Sequence, residues 1–375
     1  MKFYFSKKNK NEFYEIHRTN KKKYLLIDTV ESIHSINTSS GPPAVTFDMN
    51  RLFRRDMGIN LLRLLSAFTR EVLAVYWTLL KVMVPALIVV KLLDLAGATA
   101  ALAYVLAPLM ALVGLPDTLG IVWAAAMLTN IYTALVVFVE YGTQQPLSVA
   151  QVTVLGSMIL VAHSLPLEGA VAKATGVSWR ATLAIRIGGA LALGALLNLA
   201  YAFSGTLQHE SRMLWQPPPS DSGPLTWILD QFAMLALVLV VIAILMAGLK
   251  LLRVLGIERV MHALLAPLLK LIGIRREAAN ITIIGTTLGL SFGAGLLIRE
   301  VRSGALSRRD VFLTMGFLGL CHSVIEDTLL ILLLGADLSG ILWARLGFAL
   351  VVVAVLARLP QLNRRLAEVP GPQQG

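Results

Sequence analysis

Cysteine is almost missing from this sequence: among 375 residues only Cys321 carries a thiol. An intramolecular disulfide is excluded, and cysteine usage says nothing about redox compartment. Charge is scarce too, at 15% of residues, and acids are scarcer than bases, 22 against 33, for a formal net charge of +11. No G-x-x-x-x-G-K-[S/T] run occurs, which removes nucleotide hydrolysis through a Walker A loop, and no H-E-x-x-H pair occurs, which removes the zinc-peptidase helix. Aromatics make up 7%, the chain has no basic-aromatic groove pattern, and Lys and Arg at helix ends are what membrane topology demands, so nucleic acid is not an expected partner. The first residues are Lys-rich with no apolar core, and no cleavable signal peptide is expected.

What is abundant is apolar: 56% of residues are hydrophobic and mean hydropathy is +0.72, far outside the range of soluble domains. The chain reads as an all-α polytopic membrane protein. Apolar runs at 75–96, 149–167, 182–203, 226–249, 310–334 and 341–358 approach or reach the length of about 20 residues that a spanning helix needs. Residues 1–48 are different, holding seven of the twelve lysines but only one arginine, and read as a polar tail or a non-native extension. Residues 49–74 set Arg51, Arg54, Arg55, Arg63 and Arg70 among Leu and Phe, a basic amphipathic helix suited to an anionic membrane face.

The body is a repeat. Sliding the sequence by 159 residues without a gap lays Ala162-His163-Ser164-Leu165-Pro166-Leu167-Glu168 on Cys321-His322-Ser323-Val324-Ile325-Glu326-Asp327. The same shift brings Lys91 onto Lys250, Gly97 onto Gly256, Ala107-Pro108 onto Ala266-Pro267, Gly114 onto Gly273, Gly176 onto Gly335 and Arg186 onto Arg345. Apolar composition aligns leucines by chance, but not His, Ser, Pro, Gly and Arg in one register. The chain therefore divides into two homologous halves, 75–203 and 226–358, joined by 204–225 and ending in a tail, 359–375.

Lys and Arg placement sets the expected topology. Residues 250–276 and 299–309 are both basic, so the segment between them, 277–298, should enter and leave on one side as a re-entrant hairpin, its Gly285, Gly289, Gly293, Gly295 and Ser291 permitting a sharp, polar turn. Segment 118–139, with Thr129-Asn130 at the matching depth, is its counterpart. Each half then has three crossings, a hairpin and a short interfacial helix (100–113 and 259–272), and the halves are inverted. The Pro-rich connector 204–225 is expected outside, and both termini in the cytoplasm at the plasma (inner) membrane.

Ionisable groups inside spans are costly and mark cavities or partners. His163, Ser164 and Glu168, with His322, Ser323 and Asp327, are the candidate binding residues, and Pro166 is expected to break its helix. Arg186 and Arg345 are expected as structural counter-ions of the acids. Imidazole with carboxylate suits a metal, though without a recognised zinc spacing, and histidine also suits proton coupling.

The doubled His-Ser-acid element, the Ala-Pro segments and the inferred hairpins resemble the nucleoside recognition, or Gate, domain family. That family includes spore-maturation-like proteins, with related permease domains in ferrous-iron transporters and a similar core in concentrative nucleoside transporters. The resemblance covers 75–358 and implies two hairpin tips meeting broken helices around a central site. It places Thr129 and Asn130 at one tip, Gly289 and Ser291 at the other, and Glu326 beside His322, Ser323 and Asp327 on a broken helix. The implied activity is a transporter or permease for a small polar solute, nucleoside-like, or an ion. The alternatives are a non-transporting scaffold that binds another membrane protein or its own copies, and a membrane-embedded metalloenzyme. No enzymatic activity and no cofactor are expected.

Overall fold

A computed structural model describes residues 49–142, 146–213, 224–289, 297–301, 303–304 and 306–360. The chain forms two compact units, the first ending at Arg63 and the second beginning at Leu64, and the helical bundle with its internal contacts belongs to the second. Among the described residues there is no sheet, only an isolated bridge between Ser148 and Glu210.

In chain order the helices are α1 (Met49–Leu95), α2 (Ala98–Leu112), α3 (Leu119–Leu128), α4 (Ile131–Tyr141), α5 (Val149–Val161), α6 (Leu165–Ala174) and α7 (Trp179–Ser204). The second set is α8 (Pro224–Val254), α9 (Ile257–Leu271), α10 (Arg276–Leu288), α11 (Arg308–Leu320), α12 (Glu326–Leu332), a π-helical stretch (Ser339–Ala344) and α13 (Arg345–Arg358). Shifted by 159, α2 falls on α9 and α5 on α11 end to end. The expected boundary at 74–75 is not marked by a break, because α1 is one helix.

Among the described residues five helical segments are long and apolar enough to cross a membrane: Leu65–Leu95, Val149–Ala174, Trp179–Ser204, Thr226–Val254 and Ser339–Arg358. The protein is a multi-spanning helical membrane protein. Val149–Ala174 is its central member, with 83% of its apolar window buried against 17% for Leu65–Leu95 and for Thr226–Val254. The sixth expected span, 310–334, is not among these five; it appears as α11 and α12, separated by a break like the one inside Val149–Ala174.

Local chemistry explains where the central helices start. Ser148 accepts from Gln151 N and the Gln151 side chain answers to Ser148 N, a capping box that begins α5. The next free donors, Val149 N and Ala150 N, are taken by the carbonyls of His209 and Leu207 beyond the end of α7. Ser307 caps α11 in the same manner, at Asp310 N. α5 packs along α7, and α11 along α13 and α7, so the two broken helices lie at the centre. On the periphery α1 meets α8, where Tyr76 donates to Leu235 O at 3.0 Å. Trp227 of α8 donates to Glu140 of α4, which also faces Lys91 of α1 at 3.7 Å.

α3 and α4 pack on each other on either side of a break at Thr129–Asn130, and Asn130 Oδ1 starts α4 by accepting from Thr133 N at 2.9 Å. The matching turn after α10 begins at Gly289, whose φ of 87° suits glycine, and residues 290–296 of that expected hairpin, Ser291, Gly293 and Gly295 included, lie outside the described residues.

Candidate functional site

α5 stops at Val161 and α6 starts at Leu165, with Ser164 between them at φ 49°. Pro166 sits in the first turn of α6, where its missing N–H costs nothing. The same break occurs between α11 and α12, with Ser323 also at φ 49°, although Ile325 stands where the proline would be. Pro166 therefore fits the break without causing it; the feature common to both is the left-handed serine after each histidine.

A broken helix exposes carbonyls at one end and amides at the other, which must be satisfied inside the protein. His163 Nδ1 lies 2.9 Å from Ile159 O, and His322 Nδ1 lies 2.7 Å from Leu318 O. Arg186 Nε donates to Val161 O at 2.9 Å and Arg345 Nε to Leu320 O at 3.1 Å, each a cation at a helix C-terminus. At the opposite ends, Glu168 and Asp327 occupy the first turns of α6 and α12, where helix dipoles favour a carboxylate.

The turn of each half touches its break. Ser164 donates its N–H to Ala126 O and its hydroxyl, at 2.8 Å, to Thr129 O. Val324 N donates to Thr286 O at 2.8 Å, and a Cβ on Gly289 would come within 2.8 Å of Ser323 Oγ, so only glycine lets that turn approach.

At the centre, residues 159 apart in sequence meet: His163 Nε2 and His322 Nε2 are 3.2 Å apart, their rings tilted by 44°. Glu168 Oε1 is 3.3 Å from both Nε2 atoms, and Asp327 Oδ2 is 3.8 and 4.0 Å from them. Both histidines and both acids are buried. A carbonyl oxygen only accepts, so each Nδ1 carries a hydrogen, and in a neutral ring Nε2 is then a bare acceptor. With both rings neutral, two bare nitrogens and two carboxylate oxygens converge with no donor among them, and Asp327 Oδ2 has no hydrogen-bond partner among the described residues. Such a cluster is stable only with something positive at its centre.

The arginines, equivalent in sequence, are used differently. Arg186 pairs with the outer oxygen of Glu168, whereas Arg345 Nη2 donates to His322 O at 2.6 Å and forms no ion pair with Asp327. The expectation of two acid–arginine pairs thus meets one pair and one carbonyl clamp. The reason is reach: aspartate is one methylene shorter than glutamate.

Of the remaining expected residues, Thr129 bonds back to Ala125 O and supplies its own carbonyl to Ser164, Asn130 caps α4, and Glu326 accepts from Tyr132 at 3.2 Å. Tyr132 is not among the residues expected from the sequence; its nearness to Thr129-Asn130 is the signal that could have found it. A cavity of about 10 Å³, room for about one water, reaches Glu168 and Arg186 between Thr182, Met315, Gly316 and Gly319. A larger cavity, about 220 Å³, lies between α5 and α7 against Gln151, Asn198 and Gln208, and neither histidine lines it.

Comparison with curated proteins finds the uncharacterized membrane protein YvoD of Bacillus subtilis (strain 168), 31% identical over 288 residues, covering 75% of this chain and 90% of that one. No protein-family model matches the chain. No solved structure matches it either.

Proposed function

The chain belongs to the family of the Bacillus subtilis membrane protein YvoD, and from the paired histidine site we propose that it is a secondary transporter or permease of the Gate type, carrying a small cationic solute through a centre shared by two inverted repeats. The observation that carries this is the contact between equivalent residues. His163 touches His322, Tyr76 bonds Leu235, and a Cβ on Gly189 would lie 3.6 Å from Phe348, each pair being 159 apart. Points that stay close to their own equivalents lie near the axis relating the halves. Each of these residues sits well inside its apolar span, Phe348 within Ser339–Arg358 for example, or, for the histidines, at the break between two helices, which supports an axis that crosses several helices at one depth and runs along the membrane plane. Such an axis is what inverted repeats would have, and their substrate sites lie at the midplane beside discontinuous helices.

The site's chemistry favours an ion over a nucleoside. It presents acceptors only, in a space closed by four side chains, whereas a nucleoside needs a pocket with donors as well as acceptors. Alternating access is tested without knowing the substrate. In a Cys321→Ala background, Ser164→Cys and Thr129→Cys are exposed to a membrane-impermeant thiol reagent in right-side-out and inside-out vesicles. Labelling from both faces is expected; labelling confined to one face, or none, overturns the transporter reading.

A further inference from the structure

We propose that this centre binds a divalent transition-metal ion of the kind that accepts tetrahedral coordination, through His163 Nε2, His322 Nε2, Glu168 Oε1 and Asp327 Oδ2. That the ion is also the transported species rests on the transporter reading; that it binds does not.

Three of these atoms form a nearly equilateral triangle with sides of 3.2, 3.3 and 3.3 Å. An ion with bonds of about 2.0–2.1 Å to nitrogen and oxygen holds tetrahedral ligands about 3.3–3.4 Å apart. The triangle has the dimensions of one face of that tetrahedron, and Asp327 Oδ2, 3.8 and 4.0 Å from its two nitrogens, is the fourth candidate ligand; His163, His322 and Asp327 alone already group as a metal-sized cluster. Protons alone fit less well. A charge-assisted N–H···O bond settles at about 2.7–2.9 Å, so one proton would shorten one side and leave two acceptor pairs opposed. Magnesium holds its octahedral neighbours about 2.9 Å apart, and both magnesium and calcium prefer oxygen to two imidazoles.

The surroundings are those of a ligand shell. Each imidazole is held from behind by a backbone carbonyl on Nδ1, which fixes the tautomer that offers Nε2. Arg186 holds the outer oxygen of Glu168 and leaves Oε1 turned to the histidines. The second arginine, Arg345, is also buried and bonds the His322 carbonyl.

The test is titration of the purified protein in lipid nanodiscs with Co²⁺, whose tetrahedral complexes absorb visible light far more strongly than octahedral ones. One Co²⁺ per chain with the strong tetrahedral spectrum, displaced by Zn²⁺ and not by Mg²⁺ or Ca²⁺, is expected. The spectrum should be lost in His163→Ala and His322→Ala, and Arg186→Gln should weaken binding about 10–100-fold as an outer-shell change. Should the histidine variants fail to fold, zinc-edge X-ray absorption of the unaltered protein must still show two imidazole nitrogens. An octahedral spectrum, no saturable binding, or binding unchanged in both histidine variants overturns the proposal. Two-sided thiol labelling without Co²⁺ binding sinks the metal and spares the transporter. Co²⁺ binding with one-sided labelling does the reverse, leaving a resident metal site.

Discussion

Arg186 and Arg345 are equivalent in sequence and equally buried, at 1% exposure each, yet their loss should not cost the same. Arg186→Met leaves Glu168 buried without its guanidinium, and breaking a buried ion pair from one side costs about 3–5 kcal/mol. Arg345→Met removes two carbonyl bonds, to Leu320 and His322, each worth about 1.5–3 kcal/mol because the donor is charged. It also releases a buried cation that has no carboxylate partner, and the several kcal/mol no longer spent on its desolvation offset much of that loss. The expected gap is about 2 kcal/mol, a factor of about 30 in the folded-to-unfolded ratio. Equilibrium unfolding in bicelles by a graded denaturing detergent would measure both variants, and the cycle Arg186→Met, Glu168→Gln and their double variant would isolate the pair. The double variant should recover most of what the single arginine change loses, since neither charge is left buried alone. Equal costs for the two arginines, or no recovery in the double variant, would refute the account of the asymmetry.

Glycine positions give sharper contrasts. Gly189→Ala should destabilise by about 1–3 kcal/mol, as overpacking does, because its Cβ would stand 2.6 Å from Leu320 Cδ2. The neighbouring Gly188→Ala meets nothing within 4 Å and should raise thermal stability slightly by helix propensity. Ser323→Gly, at φ 49°, should gain about 1 kcal/mol from relief of left-handed strain, whereas Ser164→Gly should come out near zero in the same unfolding assay because it also gives up the bond to Thr129 O. Asp327→Glu should let the second acid reach Arg345, and a crystal or cryo-electron microscopy structure of the variant should show that pair; Arg345 still on its two carbonyls alone would count against the reach argument.

The repeat, the helical membrane architecture and the identity of the paired acids and histidines are legible in the sequence because His, Ser, Gly and Arg recur at one spacing in an apolar background. That His163 and His322 touch is not, since spacing reports that two halves are alike and not where the axis between them passes. The break in α5 is legible but points to Pro166 as its cause; only the identical break at Cys321–Ile325, which lacks proline, reveals the left-handed serine as the shared feature. Tyr132 escapes a reading by repeats because its partner Glu326 lies 194 residues away in the other half, and neither residue has an equivalent of its own kind: Ser291 and Leu167 stand at those places. The tautomers of both rings depend on the backbone carbonyls of Ile159 and Leu318, and a carbonyl leaves no trace in residue identity.

The inequality between Glu168 and Asp327 bears directly on the proposed transport. A strictly symmetric site on an in-plane axis would present the same face to both sides of the membrane, and neither orientation would be preferred. Here one acid is held by its arginine, while Oδ2 of the other has no hydrogen-bond partner among the described residues. A centre that exchanges these roles, with Arg345 reaching Asp327 while Arg186 lets Glu168 go, would pass the neutralised acid from one half to the other and turn the free carboxylate with it. The halves need not be equal for this; they need only two arrangements close in energy, and a single methylene is a difference of that small order. The alternation would therefore be biased toward the state with Glu168 paired, and Asp327→Glu, by evening the two arms, should move the two-sided labelling of Thr129→Cys toward equal rates from both faces.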